Sequence, residues 1–139
     1  MSELLNIRDL YVEYKTDEAV VHAVNGINLK VDEGECMGVV GETGAGKSTM
    51  ALSILQILPD KVGRITSGEI LYKGKDIRKM NKKELQELRG NSVSMIFQDP
   101  MTSLNPIITV GEQILEMIEL HFKHLSAEEK VKKVIDILQ

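Results

Sequence analysis

The stretch Gly41-Glu42-Thr43-Gly44-Ala45-Gly46-Lys47-Ser48 narrows the possible folds of this 139-residue chain more than any other. It fits the pattern G-x-x-x-x-G-K-[ST], which needs a strand running into a glycine loop and the loop running into a helix. The flanks supply that context. Glu35-Cys36-Met37-Gly38-Val39-Val40 reads as a short buried strand, and residues 47–58 read as a helix with an apolar stripe stopped by Pro59. Gly41, Gly44 and Gly46 allow positive φ and close approach of main chain to a ligand. Successive N–H groups of such a loop form a concave anion site. The helix start near Gly46 adds unpaired N–H groups and the positive end of its dipole. Lys47 has the reach for β- and γ-phosphates, and the Ser48 hydroxyl suits Mg²⁺. The nucleotide-contacting set is therefore Gly41, Glu42, Thr43, Gly44, Ala45, Gly46, Lys47 and Ser48, with Thr49 following in the first helical turn. A glycine-rich turn that merely caps a helix is the bland alternative, and the strand and helix on either side argue against it.

Composition sets the outer bounds. The length suits one core rather than two ordinary domains. Seventeen basic against 21 acidic residues leave a net charge of −4, so no overall field draws the chain to nucleic acid. Tryptophan is absent and aromatics are sparse, which argues against a base-stacking surface for single strands. The single cysteine excludes an internal disulfide framework, and Cys36 reads as a small core residue of its strand. No apolar run is long enough to span a membrane, and Glu3 and Asp9 break any secretory pattern at the start, so the expected setting is cytoplasmic.

Residues 4–14 read as a strand in which Leu5, Ile7, Leu10, Val12 and Tyr14 alternate imperfectly with polar neighbours. Residues 19–31 read as a second strand, with a bulge or bend at Asn25-Gly26. Together they predict an antiparallel layer ahead of the glycine loop. Residues 60–67 read as a loop, 68–72 as a strand and 73–76 as a turn. Asn81 with Glu84 predicts a capped helix over 82–89, closed by Gly90-Asn91. Residues 92–97 read as a strand of the buried parallel type. After a polar loop the pattern turns wholly helical: Thr109 caps 110–121, and Ser126 with Glu129 opens 127–138. The composition shift near Asn105 marks the expected boundary between residues 1–105 and 106–139.

These stretches add up to a resemblance. Tyr14, the loop 41–48, Ser67-Gly68-Glu69-Ile70 with the Gly74 turn, and Phe97-Gln98-Asp99-Pro100 together resemble the nucleotide-binding subunit of ABC transporters. The run Phe97-Gln98-Asp99-Pro100-Met101-Thr102-Ser103-Leu104-Asn105-Pro106 is similar to the branch that energises oligopeptide, dipeptide and nickel importers. The resemblance implies an α/β fold: a P-loop ATPase core with an N-terminal antiparallel β layer and the start of a helical subdomain. It implies ATP and Mg²⁺ as cofactors, with a second ATP-binding subunit and transmembrane permease subunits as partners. It places the protein at the cytoplasmic face of the membrane. By the same resemblance Tyr14 stacks on adenine; Tyr11 competes but falls early in the strand. Gln98 matches the glutamine that touches Mg²⁺ and the attacking water, a role suited to an amide that both accepts and donates.

The other conspicuous side chains read as structural. His121 and His124 look like a solvated helix end, His22 like a strand residue and the methionines like core filler. Lys73, Lys75, Arg78, Lys79, Lys82 and Lys83 look like a solvated face beside Glu84 and Glu87. No Leu-Ser-Gly-Gly-Gln-like signature and no apolar run ending in Asp-Glu follows Gln98. The sequence accordingly reads as the N-terminal part of a longer subunit, expected to hydrolyse little ATP by itself. Without a strand beside the loop strand it would expose an apolar sheet edge and be prone to self-association. The competing readings are a nucleotide-binding or interaction module without catalysis, and another P-loop enzyme.

Overall fold

A computed structural model describes residues 2–99 and 104–139 of the chain. It forms two compact units, Met1–Met95 and Ile96–Gln139; the composition shift near Asn105 falls inside the second.

The first unit is built on a four-stranded antiparallel sheet in the order β2-β1-β3-β4, from β1 (Glu3–Lys15), β2 (Val20–Asp32), β3 (Gly63–Tyr72) and β4 (Lys75–Asp76). The imperfect alternation of β1 has a physical cause. Ile7, Leu10 and Val12 are all fully buried, although Ile7 and Leu10 stand an odd number of residues apart. A bulge at Arg8 and Asp9 switches the side-chain parity, with the β1–β2 register shifting between Ile7 and Leu10. Asp9 takes φ 44°, and its N–H is caught by Asn28 Oδ1 at 3.0 Å. Opposite the bulge, Gly68 at φ 95° leaves the Arg8 and Asp9 carbonyls room that a Cβ would invade at 2.4–2.6 Å. The expected bend at Gly26 is also present, at φ 69°.

Helix α1 (Lys47–Ile54) packs Met50 onto Ile7, Leu10, Val12, Val24, Ile70, Ile77 and Leu88, which together make the core of this unit. The helix is four residues shorter than expected, and Pro59 does not stop it. Gln56 at φ 53° closes it: its N–H bonds Ser53 O at 3.1 Å, and Ile57 N–H bonds Leu52 O at 3.0 Å. That paired pattern is a Schellman stop with glutamine in the left-handed position. Strand β3 starts five residues earlier than expected because residues 63–67 pair with the far end of β1, Tyr14 opposite Gly63. Helix α2 (Lys82–Glu87) carries the expected box at Asn81 and Glu84. It then widens into a π-helical turn, Leu88–Ser92, closed by Val93 N–H to Leu88 O at 2.8 Å. Gly90 and Asn91 lie within that turn rather than ending the helix.

Two expected core strands do not form. Residues 35–40 and 93–97 have no strand partner among the described residues. Val40 and Ile96 are each 93% exposed, and Cys36, expected in the core, is exposed too. Apolar content made these segments look like buried strands, but a strand exists only where a neighbour takes its N–H and C=O groups. The antiparallel strands pair among themselves, and neither segment pairs with the open edge of β2.

The second unit is a helical pair, α3 (Val110–His121) and α4 (Ala127–Leu138). Both have complete capping boxes, Thr109 with Glu112 and Ser126 with Glu129. Ile118 and Val134 are its buried apolar residues among those described, whereas Val110, Met117, Leu120, Val131, Ile135 and Leu138 are exposed. His121 ends α3 and His124 lies in the turn after it, both exposed.

Candidate nucleotide site

The loop 41–48 is exposed from Gly41 to Ala45 and tightens only where it enters α1. Gly44 (φ 84°) and Gly46 (φ 83°) occupy left-handed backbone. Gly41 does not; its lack of a side chain matters for approach instead, since a Cβ there would come 3.3 Å from Ala45 Cβ. Gly46 caps α1 without any side-chain bond, and the first helical turn holds no acidic residue. The first bond of the helix runs from Met50 N–H to Gly46 O at 2.9 Å. The preceding N–H groups are therefore left to a ligand or water. Lys47 Nζ donates to the carbonyls of Gly41 (2.5 Å) and Glu42 (2.7 Å). Its ammonium is thus folded back against the loop. A bare helix N-terminus, a loop of turned amides and one fixed cation make a site for a polyanion.

Strand β2 seats this loop. A Cβ on Gly46 would stand 2.2 Å from the Ala23 carbonyl oxygen, so the loop lies directly on strand backbone. At the other end of α1, Arg89 donates from Nε to Leu55 O (2.7 Å) and from a terminal guanidinium nitrogen to Gln56 O (2.6 Å). A cation there complements the negative end of the helix dipole and satisfies carbonyls that the helix cannot. Sequence reasoning missed this residue. The available signal was an arginine next to a buried leucine just after a capped helix.

Tyr14 reaches α1 from the end of β1. Its hydroxyl lies 3.2 Å from Thr49 Oγ1, and its ring rests on Gly63. Tyr11, the competing ring, lies instead against Gly26. Thr49 is buried, while Ser48, one residue earlier, is exposed at the mouth of the loop. The Ser48 hydroxyl is a hard oxygen donor of the kind that suits Mg²⁺. The structure thus brings Tyr14, the loop, Lys47, Ser48 and Thr49 together in the first unit. Gln98 belongs to the second unit, on an exposed bend. Residues 100–103 of the run 97–106 lie outside the described residues.

Comparison with known proteins bears on the family and the fold. The sequence model of the ABC transporter family matches residues 24–139. A probable peptide ABC transporter ATP-binding protein of Sinorhizobium fredii is 43% identical over 136 residues, covering 98% of this chain and 40% of the relative. The oligopeptide transport ATP-binding protein OppD of Bacillus subtilis is 42% identical over 139 residues, covering all of this chain and 38% of the relative. The dipeptide transport ATP-binding protein DppD of the same species is 41% identical over 138 residues, covering 99% and 41%. The chain thus spans about two fifths of the length of these curated relatives. Among solved structures, a dimeric ATP-binding cassette in a post-hydrolysis state bound to ADP and Pi superposes with a TM-score of 0.77 at 26% identity. That match covers 96% of this chain and 55% of the cassette.

Proposed function

Because the chain belongs to the ABC transporter family, we propose that it binds Mg-ATP and serves in the ATP-binding subunit that drives peptide import through a membrane permease. The observation that carries the nucleotide part is the bare N-terminus of α1 behind the loop 41–48, with Lys47 as its cation. On binding, Lys47 exchanges the Gly41 and Glu42 carbonyls for phosphate oxygens, and the unpaired N–H groups of the first turn take the remaining charge. Ser48 would hold the metal, which would supply positive charge against the phosphates. Tyr14 offers the base a flat amphipathic ring. Gln98 senses the terminal phosphate and metal. Peptide as cargo follows from the relatives named for peptide transport. A dimer of ATP-binding subunits follows from the dimeric cassette.

On this reading residues 1–105 carry the ATP-binding core with its β layer, and 106–139 open the helical subdomain, which works at the cytoplasmic face of the membrane. No helix of the described residues is long and apolar enough to cross a membrane, so membrane attachment is expected to come through the permease. By itself the 139-residue chain binds ATP weakly and turns it over slowly. Titration of Mg-ATP into the chain and into Lys47→Ala tests the site. The lysine variant is expected to lose binding, and identical affinities would overturn the assignment.

A further inference from the structure

We propose that Thr49 is a positioning residue for the Tyr14 ring, and that the contact between their hydroxyls sets the spacing between the base-stacking surface and the phosphate loop. The inference rests on the nucleotide site described above and assigns Thr49 an indirect part in it. Thr49 sits in the first turn of α1, directly after Ser48, where a side chain could face either the ligand or the protein. It faces the protein, being 9% exposed. A buried hydroxyl needs a partner, and Thr49 Oγ1 has Tyr14 Oη at 3.2 Å, from a residue 35 positions away. The threonine itself is held firmly: its carbonyl accepts from Ser53 Oγ at 2.7 Å, and Ser53 is fully buried.

The ring is restrained from a second side. A Cβ on Gly63 would meet Tyr14 Cε1 at 3.0 Å, so glycine is what lets the ring lie against the start of β3. A tyrosine near the end of a strand would otherwise turn about χ1 and χ2 in their usual wells. Here β3 bounds the ring on one edge, and its hydroxyl is anchored in the same helical turn that supplies the phosphate-binding N–H groups. Base and phosphates of one nucleotide are thereby referred to a single rigid element. Ordering the ring before binding spares the nucleotide that entropy cost. The hydroxyl contact therefore contributes to affinity for a nucleotide carrying a base and contributes nothing to a bare polyphosphate.

Calorimetric titration of the full chain with Mg-ATP and, separately, with magnesium tripolyphosphate tests this. Tyr14→Phe and Thr49→Val each remove one hydroxyl while keeping the volume. Each is expected to weaken Mg-ATP about fivefold, the scale of one net hydrogen bond, and Tyr14→Phe to leave tripolyphosphate within about twofold. The double variant should be no weaker than either single one, and Thr49→Ser should restore wild-type affinity. Equal losses of the two probes in Tyr14→Phe would overturn the inference, since the ring would then act on the phosphates and not on the base. Losses that add in the double variant, or no loss for ATP, would overturn it as well. If Thr49→Val fails to fold, Tyr14→Phe with the two probes decides alone. The parent reading is separable: a wild type that binds both probes, with Lys47→Ala binding neither, keeps the site whatever the hydroxyl variants do. A wild type that binds neither probe removes both.

Discussion

Replacing Gly46 by alanine separates two effects that a phosphate-loop glycine usually combines. The first is backbone strain. At φ 83° an alanine costs about 1–2 kcal/mol relative to its preferred conformations. The second is contact, since the new Cβ would stand 2.2 Å from the Ala23 carbonyl oxygen, a distance that real Cβ atoms do not adopt. Either the loop must lift from β2 or the β2 backbone must move. Overpacking of that kind typically costs a further 1–3 kcal/mol, roughly. Gly44 supplies the internal control. It has nearly the same φ, 84°, but a Cβ there meets nothing within 4 Å. Gly44→Ala should therefore lose only the strain, about 1–2 kcal/mol, and Gly46→Ala about 2–5 kcal/mol in all. Urea unfolding followed by far-UV circular dichroism measures stability, and Mg-ATP titration shows whether the loop has lifted. Equal destabilisation by the two substitutions would show that the loop does not rest on β2, and the seating argument would fail.

Three further outcomes follow. Arg89→Ala removes both donors from the carbonyls of Leu55 and Gln56 and should cost about 1–2 kcal/mol in urea unfolding; an unchanged midpoint would show that the Schellman stop suffices for α1. The carboxylates of Glu112 and Glu129 are held below the usual range, Glu112 chiefly by the Thr109 hydroxyl and then its N–H, Glu129 chiefly by the Ser126 N–H and then its hydroxyl. Because the folded state depresses these values, their contribution is full above the ordinary carboxylate range and is lost as pH falls through the lowered values. Helical signal from α3 and α4 should then drop on acidification, and this loss should shrink in a Glu112→Gln, Glu129→Gln double variant; a drop of the same size in that variant would rule out the boxes as its cause. Finally, the unpaired apolar segments around Met37, Val39 and Val40, and around Ile96 and Phe97, should drive concentration-dependent association in sedimentation velocity. A compact monomer with cooperative unfolding would contradict that expectation.

Gly41 to Ser48 and the capping boxes at Asn81 and Ser126 were legible in the sequence because each depends on residues within one or two turns of chain, and the two opening strands were legible because a short polar turn sets each beside its partner. The chemistry proposed for the loop belongs to the same class, since it rests on the spacing of turned glycines, a lysine and a serine. The run of residues 97–106 marked the transporter family for a similar reason. What the sequence left open was every feature settled by a distant partner. The stop of α1 depends on Gln56 accepting a left-handed backbone and on Arg89 arriving from 33–34 residues away. The early start of β3 depends on pairing with Tyr14, and the parity switch in β1 on Gly68 and Asn28. Residues 35–40 and 93–97 show the limit most clearly. Hydrophobicity marked them as candidate strands. Only tertiary structure decides whether they become strands, because a strand's hydrogen bonds are made entirely with another segment.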